Sequence, residues 1–324
     1  MSNDTPQTQR PELSVVVTIV DGGDTLRSCL ERLIAQQGNH TIEILVPVEH
    51  ATRAEAAMAP DFPQVRFVDY GTPFEGVMPT DPLSRHRFFD KRRAIGLEHA
   101  NGALIGILED CGYPAPDWAA AMIALHAENP EGVIGGAMTQ GIDRLRNWGN
   151  YFCDFSRYHP PLKIKNPEYV TATNIVYKRA AIMSVRKMWE GGQYQEVKIN
   201  WELRDRGVGL MLDDRAVTIS HRRIDSVASV SRELFQWGRI YGQQRATEIG
   251  RLTKLKLMLG MPLIPFVLGL RRFRRQVSKG QNVDKYIKAF PIIFVLLFCH
   301  GMGELLGYVE TPAGGGKDQK AQNA

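Results

Sequence analysis

The 324-residue chain has only four cysteines, and none has a close neighbour of its kind. Cys29, Cys111, Cys153 and Cys299 are scattered and no CxxC occurs. That excludes a zinc ribbon, a redox dithiol and a disulfide scaffold, and reduced thiols in a cytosolic compartment fit the pattern. No GxGxxG follows the first apolar run, which excludes a nicotinamide-dinucleotide site. No repeat is visible. The opening MSNDTPQTQRPEL lacks an apolar core, so no secretory signal is expected there, and residues 1–11 read as a disordered lead.

Acidic residues are nearly missing from one stretch. Arg251–Lys288 holds ten Lys/Arg against Asp284 alone, a net +9. Residues 289–324 carry −1, so residues 1–250 carry −3 of an overall +5. Basicity confined to one stretch argues against a nucleic-acid-binding surface, and no nucleic-acid partner is expected. The rest is ordinary globular composition, 44% hydrophobic and 23% charged, with length for one large domain or two medium ones.

Ser14–Val20 (SVVVTIV) is a continuous β-branched run, which suits a strand buried on both faces. Asp24 or Thr25 can cap a following helix, whose Leu26, Cys29, Leu30, Leu33 and Ile34 repeat at helical spacing. Further strands are expected at Ile42–Val48, Val65–Val68, Ala103–Leu108 and Gly132–Ala137, and helices at Ala51–Met58, Arg85–Ala100 and Asp117–Ala127. This alternation predicts an α/β fold with a doubly wound, mostly parallel sheet, whose ligands gather at the carboxyl ends of the strands. Asp21, Glu49 and Glu109–Cys111 then share one rim. After residue 140 the pattern loosens. Val170–Tyr177 and Ala216–Ser220 read as strands, Gln195–Arg206 and Ser231–Thr247 as helices. The aromatics of 148–158 suit either sugar stacking or a packed core.

Two apolar segments follow. Leu257–Leu270 has 14 apolar or small residues between basic clusters, short for a span of about 20 and flanked on both sides against the positive-inside rule. It reads as interfacial or re-entrant. Ala289–Val309 has 21 residues and suits a single span or a shallow hairpin with the first segment. Two buried core helices are the competing reading. Together these segments make residues 251–310 a membrane-associating part, and 311–324 a disordered tail.

The clearest local signal is LEDCGYPAPDW at 108–118, where a strand delivers adjacent carboxylates to a Pro-rich turn, a pattern able to bind a divalent metal. From here the order of motifs resembles the family 2 glycosyltransferases of GT-A fold, over roughly residues 12–245. SVVVTIVDGGDTLRSCLERLIAQQ (14–37) is similar to that family's opening strand and helix, and EILVPVEHAT (43–52) to its second strand and acidic turn. DKRRAIGLEHANGALIGILEDC (90–111) is similar to its segment leading into the DxD site. TNIVYKRAAI (173–182) and QEVKINWELRDRG (195–207) are similar to its acceptor-side and "ED" segments.

The resemblance implies roles. Asp21 and Glu49 would contact the nucleotide base and ribose, and Arg92 and Arg93 would lie near the diphosphate. Glu109, Asp110 and Cys111 occupy the DxD-type position. Because a thiol is a poor Mg²⁺ ligand, the metal contact, Mg²⁺ or Mn²⁺, falls to Asp110, with Glu109 on the sugar or nucleotide. His221 would sit near the metal or diphosphate. Gln236, Trp237 and Arg239, a partial match to QxxRW, would touch the acceptor or diphosphate. Glu196 would be the general base, although an acid at a helix start also suits the helix dipole. Trp118 reads as packing.

The implied domains are 12–140 for the nucleotide-sugar half, Rossmann-like, and 141–250 for the acceptor half. The implied activity is inverting transfer of a hexose from a nucleotide-diphosphate sugar to a lipid-linked or polysaccharide acceptor. It would take place at the cytoplasmic face of the inner membrane, in cell-envelope polysaccharide biosynthesis. Two other readings stay open. One is a catalytically impaired scaffold of a membrane polysaccharide assembly, motivated by the altered acidic motif and Gln195. The other is a nucleotidyltransferase, which would want a basic residue within DGGDTL.

Overall fold

The computed structural model describes residues 10–36, 40–71 and 82–314. The expected lead and tail lie outside these, apart from residues 10–11 and 311–314. By packing, the chain forms two compact units. The first is residues up to Gly141 with Tyr158–Arg222, and the second is Ile142–Arg157 with residues from Arg223 onward. Residues 141–250, expected as one acceptor half, are therefore shared between both.

The first unit is built on a nine-stranded sheet among the described residues. Its strands are β1 Leu13–Thr18, β2 Ile42–Val48, β3 Val65–Asp69, β4 Leu104–Glu109, β5 Gly112–Pro114, β6 Val133–Gln140, β7 Lys163–Lys165, β8 Asn174–Lys178 and β9 Leu210–Ser220. The order is β3-β2-β1-β4-β8-β6-β9-β5, with β7 also on β9. Every residue of β1 is buried, as a strand covered on both faces requires. Val15 lies level with Ile44 on one side and Gly106 on the other.

The sheet is mixed rather than mostly parallel. β3, β2, β1 and β4 run parallel, and β6 runs parallel to β9. β8 enters antiparallel between β4 and β6, and β5 and β7 pair antiparallel with β9. The physical reason lies in the connections: a parallel neighbour needs a crossover, usually a helix, and the strand–helix alternation stops before β8.

Helices α1 Gly23–Ile34, α2 Arg53–Ala56, α3 Pro82–His99, α4 Trp118–Glu128, α6 Arg179–Ser184 and α7 Glu196–Asp205 complete this unit. α1 packs Leu26, Cys29, Leu30 and Leu33 into the core with Val15, Val17 and Val46. Each such side chain contributes about 1.5–3 kcal/mol on burial. Trp118 is wholly buried, and its Nε1 donates to Asn174 Oδ1 at 2.8 Å. Asn174 Nδ2 in turn donates to the carbonyls of Ala137 at 3.0 Å and Ala216 at 3.2 Å. One buried amide thus ties α4 to β6, β8 and β9.

The second unit is helical: α5 Leu145–Asp154, α8 Val227–Glu248, α9 Arg251–Gly260, α10 Ile264–Lys279 and α11 Val283–Glu310. The aromatics of α5 are core. Phe152 packs on Tyr286 of α11 at 5.0 Å, and a Cβ on Gly149 would meet Ile292 at 2.5 Å. α9, a tight turn at Met261–Leu263 and α10 make one helical run of 29 residues, and α11 has 28. Both are long and apolar enough to cross a membrane. The first run is therefore longer than its 14-residue apolar stretch implied.

α8 and α11 approach through glycines spaced four apart on each helix. A Cβ on Gly303 would sit 1.9 Å from the Phe235 carbonyl oxygen, and one on Gly238 2.0 Å from that of His300. Small residues let two backbones meet this closely. Gly303→Leu should push the helices apart and cost about 1–3 kcal/mol in denaturant unfolding followed by circular dichroism. An unchanged midpoint would contradict this packing.

Candidate functional site

The site is built from the strand ends of the first unit. β1 runs into a turn where Gly22 and Gly23 have φ of +65° and +54°, values that glycine adopts without strain. This turn is held by Asp110, the residue after β4. Its Oδ1 accepts from the N–H groups of Val20 at 3.0 Å and Asp21 at 3.2 Å, and its Oδ2 from Gly22 at 2.7 Å. Asp110 is fully buried. Burial pushes its carboxyl up to about 7, against the pull of the three N–H groups. Asp110, the expected metal contact, thus latches the β1–α1 turn.

Glu49 follows β2 and is buried. Its carboxylate is held by the guanidinium of Arg92 through both oxygens, and the Tyr70 hydroxyl donates to it at 2.6 Å. Arg92 also donates to the Ile19 carbonyl, so one buried cation joins the ends of β1 and β2. Beside it lies a small open cleft of about 130 Å³ at the ends of β2 and β3, lined by Glu49, His50, Arg53 and Asp69.

Arg93, the next residue on α3, gathers carboxylates from three elements. Nη2 donates to Glu109 Oε1 at 2.8 Å, at the end of β4, and Nη1 to Asp90 Oδ1 at 3.2 Å, one helical turn back. Its guanidinium carbon lies 6.0 Å from the Tyr194 ring. Burial disfavours the Arg93 charge, but Glu109, Glu196 and Asp90 outweigh it and hold its pKa up. Glu196 opens α7, and its Oε2 accepts from the Ala172 N–H at 3.0 Å. Burial raises the Glu196 carboxyl and Glu109 adds to this, while Arg93 and the Ala172 N–H oppose it. The Tyr194 hydroxyl is in turn bonded to that of Tyr177 at 2.7 Å.

The cluster has a signature in pH. Burial pushes Asp90 up to about 7, with the Glu196 charge adding to this and Arg93 opposing. A carboxyl whose folded pKa exceeds its unfolded value stabilises most below about 4 and loses that contribution as pH rises through 7. Asp90 should therefore contribute stability as pH falls from 8 to 5, by up to about 1 kcal/mol per pH unit, while His86, 3.7 Å from Asp90, and His126, both with a pKa that burial lowers to about 4, act in the opposite direction below about 6.5. Asp90→Asn should flatten this slope in urea titrations at several pH values. An unchanged slope would place the titration elsewhere.

The remaining expected residues have other partners. His221 stacks on Tyr113 at 4.1 Å, and its Nδ1 lies 3.1 Å from the Ile219 carbonyl oxygen. Burial lowers its pKa. Cys111 packs with its thiol 3.8 Å from Glu109 Oε2, and burial pushes that thiol well up. Gln236 and Arg239 fall on α8 in the second unit, where Arg239 pairs with Glu310 at 2.7 Å.

Asp110 and His221, the expected metal contacts, are bonded within the protein. Both Asp110 oxygens accept backbone N–H groups, and His221 turns Nδ1 to a carbonyl. Among the described residues no three His, Cys, Asp or Glu side chains converge as a metal site needs. Glu109, Arg93 and Glu196 do come together. Asp90, Tyr70 and Tyr194 were not singled out from the sequence. Asp90 stands three residues before Arg93, and that helical spacing was its available signal.

No protein-family model matches the chain. No curated protein matches it either. Among solved structures it is similar to the mannosyltransferase PcManGT from Pyrobaculum calidifontis in complex with GDP-Man and Mn2+. Identity is 14% and the TM-score 0.46, over 87% of this chain and 74% of that one. It is also similar to S. aureus TarS 1–349 in complex with UDP-GlcNAc, at 11% identity and a TM-score of 0.48, over 87% of this chain and 90% of that one. Likeness at this level carries no argument about chemistry, which rests on the residues above.

Proposed function

We propose that the chain is an inverting glycosyltransferase using a nucleotide-diphosphate sugar and acting on a lipid-linked or polysaccharide acceptor at the cytoplasmic face of the inner membrane. One observation carries the reading. Glu109 pairs with the buried Arg93, whose charge also acts on Glu196, so motifs that stand far apart in sequence share one charged cluster in the family's motif order. In this reading Glu196 takes the proton of the acceptor hydroxyl. The acceptor oxygen bonds to the anomeric carbon as that carbon's bond to the diphosphate oxygen breaks, and the electron pair leaves with the diphosphate. A base with a raised pKa is a stronger proton acceptor, which suits this task.

Arg93 holds Glu109 and tempers the charge of Glu196. The cleft beside Glu49, His50, Arg53 and Asp69 would offer polar side chains to a ribose and base. No step is routed through a metal ion. A second reading, a scaffold that binds without turnover, is favoured by one feature: Asp110 and Glu49, expected on the donor, are engaged within the protein.

The test is a calorimetric titration of the full chain in mild detergent with UDP, GDP, CDP and their sugar conjugates, followed by product analysis. Binding of one nucleotide class, weakened at least tenfold by Asp69→Ala, with turnover, supports the enzyme. Binding without turnover on any acceptor supports the scaffold. Absence of binding to folded protein overturns both.

A further inference from the structure

We propose that the second unit attaches to an anionic phospholipid surface from one side, through a continuous apolar face, and that neither long helix crosses the bilayer. This deepens the membrane location proposed above and does not depend on sugar transfer.

The face is made by two helical stripes. Along α9 and α10, Leu252, Leu255, Leu259, Leu263, Phe266 and Leu270 recur at steps of three and four, and all are exposed, Leu252 by 70% and Leu259 by 73%. Along α11, Ile287, Phe290, Phe298, Met302 and Val309 form the second stripe. The stripes are neighbours. Phe266 meets Phe294 of α11 at 4.9 Å, and a small apolar cleft of about 50 Å³ lies between Pro262, Pro265, Phe298 and Met302. So large an exposed patch marks an interaction surface.

Charge complementarity identifies the occupant. Arg251, Lys256, Arg271 and Arg274 are exposed along the same two helices. They belong to the stretch with net +9. Apolar side chains beside Lys and Arg on one helical surface are the pattern of a helix lying in the interface of an anionic membrane.

Crossing is opposed by α8. It runs alongside the C-terminal half of α11, with Phe235 at Gly303 and Arg239 at Gly307, so that half of α11 is covered by a polar helix. A spanning α11 would carry Arg232, Arg239, Gln244 and Arg245 of α8 into hydrocarbon, where charged groups are expelled. Glu304 within α11 is buried against the Tyr308 hydroxyl and lies 3.5 Å from Arg245, so the interior of this helix is matched to protein rather than lipid. A surface attachment leaves α8 in water and satisfies both stripes.

The full chain, diluted from detergent, would be added to preformed vesicles of phosphatidylglycerol with phosphatidylcholine, or of phosphatidylcholine alone, and separated by flotation. Binding should be at least tenfold stronger to the anionic vesicles. Leu259→Glu with Phe266→Glu should weaken it at least tenfold while circular dichroism and nucleotide binding stay unchanged. Gln281→Cys, in the turn between α10 and α11, should escape an impermeant maleimide trapped inside the vesicles and react with one added outside. Labelling from inside would mean that the helices cross, and would overturn the proposal. So would equal binding to neutral vesicles, or binding indifferent to the paired substitution. Loss of nucleotide binding by the unchanged chain would bear on the transferase reading alone.

Discussion

Replacing Arg92 with methionine should lower the unfolding free energy by about 3–5 kcal/mol, the range for removing one partner of a buried ion pair. Arg92 and Glu49 side chains are each 1% exposed, so water cannot take the place of the lost guanidinium. Glu49 would keep the Tyr70 hydroxyl but no cation, and the Ile19 carbonyl would lose a charged donor. Against a typical total of about 5–15 kcal/mol this is a large share. Urea unfolding at neutral pH, with the m-value checked for unchanged compactness, measures it. Glu49→Gln added to Arg92→Met should recover most of the loss, because the orphaned charge is then gone. A single-variant loss below about 1 kcal/mol would mean that the pair behaves as a solvated surface bridge.

The same pair shows where sequence reasoning reached and where it stopped. Arg92 and Arg93 read from the chain as a basic doublet facing a diphosphate. In the fold they face two different carboxylates, Glu49 and Glu109, because successive helical residues point about 100° apart. The acids themselves were legible: Asp21, Glu49, Glu109 and Asp110 all stand at carboxyl ends of strands, since apolar runs buried on both faces can be read directly. Their tasks were not legible. Asp110 spends its carboxylate on N–H groups some 90 residues earlier, and no local pattern encodes the geometry of that turn.

The fold divides in the same way. β1 to β4 follow from continuous apolar runs and Gly-marked ends. β5 and β7 have three residues each, too few to display a period of two. β9 begins at Leu210, well before the expected Ala216, because Asp213, Asp214 and Arg215 interrupt its apolar pattern. Asp213 is nevertheless buried, paired with Arg215 at 3.2 Å. The α8–α11 contact carried a readable signal, glycine pairs four apart in both segments.

Glu196→Gln should reduce turnover by a factor of about 10² to 10⁴, the usual span for a lost general base, while nucleotide affinity stays within about twofold. Glutamine keeps the shape and can still accept from the Ala172 N–H, so the start of α7 should stand. The pH profile separates a base from a structural acid. A base must be ionised, so the rate should fall as pH drops through the raised Glu196 pKa, and this acidic limb should vanish in the variant. Arg93 supplies the second arm. It lowers the Glu196 pKa, so Arg93→Met should move the acidic limb of the profile to higher pH, whereas a residue that merely fills space would leave it in place. Intact turnover in Glu196→Gln would remove this residue from the chemistry. Loss of nucleotide binding together with turnover would assign it to the architecture of the acceptor side.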